Sequence, residues 1–214
     1  MARRLNLPLA PVLAAHLCSL PGPLYTVLMG YKESPVDEAR RRFTRCLLRF
    51  FGDFFAGHRG CVIRAIGGDV DLVLPVPSST RPGRAPLEGV EGLAELVVSR
   101  VGGHWVPTVV QRAEGAVGHM RPNATAFVVG PAAREVVHNA RVLLLDDTYV
   151  SGSRAQSAAA ALRLAGAGSV LIAPLGRVLR PDRVAAHRAF MAGRSGDAGH
   201  LSRCASAQTG AGSR

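Results

Sequence analysis

The hydrophobic pattern of this chain combines short, unbroken apolar runs with longer segments in which apolar residues recur every three or four positions. The short runs lack polar alternation, which predicts strands buried on both faces of a parallel sheet. They lie at 71–76, 105–110, 126–129, 142–145 and 169–174. The helical spacing occurs at 36–54, 87–101, 154–166 and 182–192. This alternation predicts an α/β fold with a mainly parallel central sheet flanked by helices.

Proline and glycine mark the limits of the predicted domain. Residues 1–23 are apolar but interrupted by proline, and Pro21-Gly22-Pro23 excludes a continuous helix across this stretch. Residues 193–214 are mostly Gly, Ser, Ala and Arg without periodicity, which predicts a disordered tail. The pattern therefore predicts an N-terminal segment (1–23), one folded domain (24–192) and a tail (193–214).

The first long helix carries the most basic surface of the sequence. Ser34 and Pro35 are expected to serve as its N-cap and first helical residue. Its apolar stripe predicts packing on a larger core. Its other side holds Arg40, Arg41, Arg42, Arg45 and Arg49. Such a run is usually a solvated face, and the alternative is a surface that docks a polyanion.

The formal net charge is +11, from 26 basic and 15 acidic residues, and every basic residue except one is arginine. A basic chain attracts nucleic acid and phosphorylated metabolites alike. The abundance of Arg, Ala and Gly also fits a bias in coding composition. Aromatic residues make up only 5% of the chain, which disfavours a stacking platform for single strands. The sequence leaves nucleic-acid contact open, and such contact would be nonspecific and would involve the arginine-rich surface.

The cysteines and the apolar runs bear on the compartment. Cys18, Cys46, Cys61 and Cys204 are widely spaced and form no CxxC pair, which favours reduced thiols over a zinc site or a disulfide framework. No apolar run reaches the length of a membrane span. Prolines interrupt the apolar start, so it does not fit a signal peptide. We expect a cytoplasmic protein without membrane contact.

The segment 141–165 carries the clearest chemistry. A predicted buried strand leads directly into Asp146 and Asp147, then a hydroxyl-rich turn over 148–153, then a predicted helix. A loop that enters a helix presents unpaired N–H groups, which suit a phosphate. The two acids would repel a phosphate, so they suit the hydroxyls of an attached sugar or a Mg²⁺ ion.

Two nucleotide-binding motifs compete for this segment, and each requires a feature that the chain lacks. A Walker B strand needs a GxxxxGK[ST] loop, and the single lysine, Lys32, lies outside any such pattern. A dinucleotide site needs GxGxxG, which 150–156 does not supply. A buried strand whose acids merely reach a solvated loop remains an alternative.

A second polar loop follows the predicted strand at 71–76. It contains Ser78, Ser79 and Arg81, whose hydroxyls and charge suit pyrophosphate, and it is expected at the same edge of the sheet as the acid pair. The alternative is a polar loop that its prolines keep out of a helix. A long polar stretch from Gln111 to Asn123 contains Arg121 and predicts a functional loop.

The acid-pair segment resembles the ribose-phosphate motif of type I phosphoribosyltransferases, usually an apolar run followed by DDxxTTGxT. Asp146, Asp147 and Gly152 match this motif, and Ser151 replaces a Thr. Val150 and Arg154 stand where the family has its first and last Thr.

Weaker features are similar to the ComF branch of that family, which is associated with competence for DNA uptake. They are Gly30-Tyr31-Lys32-Glu33, Val76-Pro77, Gln111 and Arg121-x-Asn123. The likeness covers about residues 24–180. Many ComF-like proteins carry a four-cysteine zinc module at the amino terminus, and this sequence does not contain it.

The resemblance implies a type I phosphoribosyltransferase fold, which is Rossmann-like, and a protein that binds phosphoribosyl pyrophosphate with Mg²⁺ and transfers phosphoribose to an acceptor. Asp146 and Asp147 would hold the ribose hydroxyls, directly or through the metal, and Arg121 would stabilise charge on the leaving group. Residues Thr148, Val150, Ser151, Gly152, Ser153 and Arg154 would line the 5′-phosphate loop. Ser78, Ser79 and Arg81 would bind pyrophosphate. No residue identifies the acceptor.

A non-catalytic protein on the same fold is the alternative. It would sense a phosphoribosyl metabolite or serve DNA uptake through its arginine surface. The missing hydroxyls at Val150 and Arg154 and the net charge favour this alternative, while the intact acid pair favours an enzyme. The sequence does not determine the oligomeric state and is compatible with a homodimer.

Overall fold

The computed structural model describes residues 1–18, 20–77, 87, 89–113, 122–180, 182, 184, 185 and 187–189. The strands are β1 His16–Cys18, β2 Leu72–Pro75, β3 His104–Trp105, β4 Val110–Arg112, β5 Phe127–Val129, β6 Arg141–Tyr149 and β7 Ser169–Val178. The helices are α1 Ala2–Leu5, α2 Pro23–Glu33, α3 Asp37–Ile66, α4 Leu93–Val101, α5 Pro131–Val137 and α6 Ser153–Leu164.

A five-stranded parallel sheet in the order β1-β7-β6-β2-β3 forms the centre of the fold. Strands β4 and β5 form a separate antiparallel pair. The predicted class, a mainly parallel central sheet flanked by helices, is confirmed.

Successive residues of the central strands face opposite layers of helices, as the pleat requires. Leu143 and Leu145 of β6 join the core formed with α2, α3 and α4. Val142 and Leu144 join the other core, which includes residues of α6 and of the β4–β5 pair. Both faces of the sheet are therefore buried, which explains the unbroken apolar runs.

The direction in which successive strands are added to the sheet reverses between β2 and β6. From β2 the chain passes through α4 on one face to β3, and from β6 it passes through α6 on the other face to β7. In open α/β sheets, ligands bind at the carboxyl ends of the strands at such a switch point. The acid pair lies at this point.

The amino-terminal segment is part of the sheet. The N–H groups of Leu13 and Ala15 donate to carbonyls of β7, and β1 continues this pairing. Upstream, Ala10 exchanges two hydrogen bonds of 2.9 Å with the buried amide of Gln156 on α6. Residues on both sides of the predicted boundary at 24 thus share one sheet, while the predicted boundary itself stays untested.

The helices differ from the sequence prediction near the amino terminus. Helix α2 was not predicted, yet it begins at Pro23, since proline is compatible with a first helical position. Ser34 is the C-cap of α2 and not the N-cap of α3, because its N–H bonds the Gly30 carbonyl. Helix α3 continues beyond residue 54 to Ile66, with non-helical backbone at His58, and ends at the left-handed Gly67.

The strands differ mainly in length and partner. The predicted strand at 105–110 is divided between β3 in the main sheet and β4 in the antiparallel pair. The predicted loop at 111–123 begins within β4. Strand β6 runs four residues past the predicted end at Leu145, because the long β7 pairs with it as far as Tyr149.

The carboxyl-terminal predictions are covered only in part. Residues 185 and 187–189 are helical, in keeping with the predicted helix at 182–192. The predicted tail at 193–214 lies outside the described residues. None of the helices in the described ranges has the length and apolar character needed to cross a membrane.

Replacing Gln156 by leucine tests the attachment of the amino-terminal segment to α6. The Gln156→Leu variant leaves both backbone groups of Ala10 without their partner, so we expect the free energy of unfolding to fall by about 2–4 kcal/mol. Urea denaturation followed by circular dichroism measures this change. The control is Gln111→Leu on an exposed position, expected within about 0.5 kcal/mol of the parent. An unchanged midpoint for Gln156→Leu would contradict the role of this contact.

Candidate functional site

The acid pair lies inside strand β6 and not after it. Asp146 and Asp147 are 4% and 1% exposed. Strand β2 ends at Pro75, opposite Leu145, so beyond this point β7 is the one described strand that pairs with β6. The pleat directs Asp146 toward the α6 face and Asp147 toward the α2 face. The two carboxylates therefore meet different helices.

Asp147 is held by two consecutive residues of α2. The Tyr31 hydroxyl donates to its Oδ2, and the Lys32 ammonium forms an ion pair with the same oxygen. Helix α2 can approach closely because Gly30 lies directly against the ring of Phe43 on α3, where no Cβ would fit. Both donors thus follow directly after a point where α2 lies close against α3.

Asp146 is held by Arg154, in the first turn of α6. The guanidinium Nη2 lies 2.6 Å from Asp146 Oδ1 and 3.6 Å from Asp147 Oδ1. Arg154 therefore faces the acids, whereas the predicted role placed it in the phosphate loop. Asp146 Oδ1 also accepts the N–H of Asp147 at 3.1 Å.

Burial and charge act differently on the two acids. Burial raises the pKa of Asp146 against the opposing influence of Arg154. Burial also acts to raise the pKa of Asp147, but Lys32 and Arg154 outweigh it and the pKa is lowered. Burial and the charge of Asp147 raise the pKa of Tyr31. Asp147 is thus an ionised acceptor, and Tyr31 stays a protonated donor.

The turn into α6 presents the features of an anion site. Gly152 is the N-cap and adopts φ 73°, in the left-handed region. Ser151 accepts the N–H of Ser153 at 3.3 Å, and the two hydroxyls lie 3.1 Å apart. The N–H groups of the first turn and the positive end of the helix dipole favour a phosphate here.

A cleft of about 230 Å³ joins the acid pair to this turn. Thr148, Val150, Ser151, Gly152, Ser153 and Arg154 line it together with both acids, and Lys32 and Ala155 complete the lining. The ligand contacts assigned to them from the sequence remain predictions. The volume is below that of typical drug-sized sites, which are about 300 Å³ or more, and suits a small phosphorylated ligand.

One carboxylate oxygen has no hydrogen bond within the described part of the chain. Asp147 Oδ1 is buried and lies 3.6 Å from Arg154, beyond hydrogen-bond distance. Buried carboxylate oxygens rarely lack a donor. A hydroxyl of a ligand in the cleft would supply one.

Four predicted residues cannot be placed. Ser78, Ser79, Arg81 and Arg121 lie outside the described residues, so their roles remain predictions. The flanking chain is placed: the Val76 N–H donates to the Leu145 carbonyl at 2.8 Å, beside the acid pair. The Asn123 N–H donates to Ser157 of α6 at 2.9 Å.

Tyr31 and Lys32 were not predicted as site residues. They are more than 100 positions from the acids, and the structure brings them into contact through α2. One signal was present. Lys32 is the single lysine in a chain whose other basic residues are all arginine.

The acid pair was predicted to bind Mg²⁺, so its fit to a metal matters. Magnesium requires near-octahedral oxygen coordination. Here each carboxylate already contacts a protein cation, and the described residues contain no group of three or more His, Cys, Asp or Glu side chains that could hold a metal ion. As arranged, the pair does not fit a directly bound divalent metal.

Neither a protein-family model nor a curated protein matches the chain. Among solved structures, it is similar to adenine phosphoribosyl transferase from Trypanosoma brucei in complex with AMP, pyrophosphate and ribose-5-phosphate. The two are 15% identical over 84% of this chain and 76% of that one, with a TM-score of 0.39. It is also similar to the allosteric regulatory enzyme of purine biosynthesis, with 18% identity over 56% of this chain and a TM-score of 0.34. The chain spans 26% of that enzyme. Likeness at these scores carries no argument about function, which depends on the site.

Substitution of Gly152 tests the geometry of the turn. A Cβ at this position meets the ring and hydroxyl of Tyr149, and its φ is unfavourable for other residues. We expect Gly152→Ala to lower the free energy of unfolding by about 1–3 kcal/mol. Thermal denaturation measures it.

Gly57→Ala is the matched control. Gly57 is an exposed helical residue with open space around its Cβ position, so alanine should stabilise the chain by about 0.5–1 kcal/mol. Equal effects of the two substitutions would show that the turn does not require glycine.

Proposed function

We propose that the chain is a phosphoribosyltransferase-like protein that binds phosphoribosyl pyrophosphate, or another phosphorylated ribose, in the cleft beside β6. The observation that carries this proposal is the pairing of two chemically different sites in one small cleft. A helix N-terminus suits the 5′-phosphate, and buried carboxylates suit sugar hydroxyls. Asp147 Oδ1, which accepts no hydrogen bond from the described residues, supports the second assignment.

The proposed reaction transfers the phosphoribosyl group to an acceptor. The bond from C1 to the pyrophosphate oxygen breaks, its electron pair leaves with pyrophosphate, and a lone pair of the acceptor forms the new bond to C1. Groups that hold the 5′-phosphate and the ribose hydroxyls fix C1 in place during this exchange. Ser78, Ser79, Arg81 and Arg121 are the proposed contacts of the leaving group. Mg²⁺ would accompany the pyrophosphate as its counterion.

The ComF-like branch is the finer form of this proposal. The stretch Gly30-Tyr31-Lys32-Glu33, on which that likeness partly depends, supplies the two α2 contacts of Asp147 and the glycine that lets α2 approach α3. Three residues of that stretch therefore take part in holding or positioning the cluster around Asp147.

Binding without catalysis is the second candidate. Both acids are engaged by cations of the chain, and Val150 exposes an apolar side chain where a hydroxyl was expected. A site of this kind would hold a phosphorylated sugar and report its presence. Release of pyrophosphate in the presence of candidate bases and amines separates the two functions.

A role in DNA handling has weaker support from the described surface. Arg40, Arg41, Arg45, Arg49 and Arg59 each pair with a neighbouring acid. Such exposed pairs reduce the charge available to a polyanion, although they are individually weak.

Ligand selectivity tests the ribose assignment. Hydrogen bonds to charged groups are worth about 1.5–3 kcal/mol, so ribose 5-phosphate should bind about tenfold or more tightly than 2-deoxyribose 5-phosphate. The preference should largely disappear in Asp147→Asn. Isothermal titration of both ligands measures it, with Asp53→Asn, an exposed acid on α3, as the matched control. Equal binding of the two sugars to the parent chain, or no binding of either at millimolar concentration, would refute the assignment.

DNA affinity is tested separately. If the arginine surface has a function, replacing Arg40, Arg41, Arg42 and Arg45 by glutamine should abolish a salt-dependent affinity that Asp146→Asn leaves unchanged. Fluorescence anisotropy on a short duplex at several salt concentrations gives the slope of the logarithm of the affinity against the logarithm of the salt concentration. An affinity lost in Asp146→Asn and kept in the arginine variant would place the contact at the cleft.

A further inference from the structure

The charged groups of the cleft cancel one another. Its lining contains two carboxylates, Asp146 and Asp147, and two cations, Lys32 and Arg154. The remaining lining residues are uncharged. Within the described part of the chain, the formal charge of the lining is therefore zero before any ligand or metal enters.

Both cations are committed to the acids by geometry. The acid side chains are 5% and 1% exposed, and those of Lys32 and Arg154 are 25% and 19% exposed. Buried charges are stable only when they are paired. Lys32 comes from one face of the sheet, and Arg154 comes from the other and spans both acids.

The position of Arg154 gives independent support. A cation in the first turn of a helix is disfavoured by the helix dipole. Its pairing with Asp146 compensates for this cost, and the charge of Asp146 is the main reason for the raised pKa of Arg154. An arginine at this place therefore depends on the acids as much as the acids depend on it.

A divalent ion at the pair would have to displace these groups. It would lie within a few ångströms of two fixed positive charges, and a metal that took their place would leave two cations without partners in a largely buried cleft. Among the described residues, no acid other than Asp146 and Asp147 lines the cleft to add a ligand.

We propose that Lys32 and Arg154 are resident counter-cations of the acid pair, and that the cleft binds a phosphorylated ribose at these acids without a divalent metal. The part about ligand binding rests on the proposed function. A metal bound to the pyrophosphate group of a ligand would not test this proposal. The probe is therefore ribose 5-phosphate, which has no pyrophosphate.

Metal binding is tested first, without any sugar. Mn²⁺ is titrated into the parent chain, and the free ion is measured by electron paramagnetic resonance. We expect no site tighter than about 1 mM in the parent chain. The variant Lys32→Met/Arg154→Thr, which leaves the acids uncompensated, should gain one Mn²⁺ per chain. Arg42→Thr on the exposed face of α3 is the control and should gain none.

The second arm is isothermal titration of ribose 5-phosphate in EDTA and in Mg²⁺. The dissociation constant of the parent chain should agree within about twofold between the two conditions. The double variant should bind about tenfold more tightly with Mg²⁺ than in EDTA.

Two results would overturn the proposal. One is a Mn²⁺ site in the parent chain that Asp146→Asn removes, and the other is a strict requirement for Mg²⁺ in the binding of ribose 5-phosphate. If the double variant does not fold, the measurements on the parent chain and on Asp146→Asn still show whether the acid pair binds a metal. If ribose 5-phosphate does not bind under either condition, the proposed function fails, and the Mn²⁺ titration alone decides whether the pair holds a metal.

Discussion

Two neighbouring carboxylates buried in one strand impose the main constraint on this structure. A buried charge must be compensated nearby, and the pleat places Asp146 and Asp147 toward opposite faces of the sheet. Each face of the sheet must therefore supply a cation to the acid that points toward it. Helix α2 brings Lys32 and the Tyr31 hydroxyl, and helix α6 brings Arg154. The cluster joins the sheet and both helical layers at a single point.

The helices that bear these groups are held by close backbone contacts. Gly30 lets α2 lie against Phe43 of α3. On the other face, α6 is rich in buried alanine, which permits close packing on the sheet. The amino-terminal segment is fastened to α6 through Gln156. The same packing that supports the ion pairs also places the N-terminus of α6 beside the acids, so sites for a phosphate and for hydroxyls become adjacent.

Much of the architecture was readable from local pattern. Unbroken apolar runs identified the buried strands, and the resulting α/β class is what the structure has. Errors arose where a neighbour decides the outcome. The sequence at 146–149 is polar and does not resemble a strand, but β7 offers it a continuous pairing edge. Ser34 has the chemistry of an N-cap, but its N–H completes the preceding helix.

The residues of the candidate site likewise fall into those that local sequence identifies and those that only the fold brings together. The sequence by itself determined the acid pair, the small residues of the turn and the start of α6, because these features depend on residue type within one short segment. Only the tertiary structure decided that Arg154 faces the acids and that Tyr31 and Lys32 complete the cluster. An ion pair depends on distance in space, and no local pattern brings residues more than 100 positions apart to one carboxylate. Packing of α2 on α3 decides that distance, and with it the charge of the cleft.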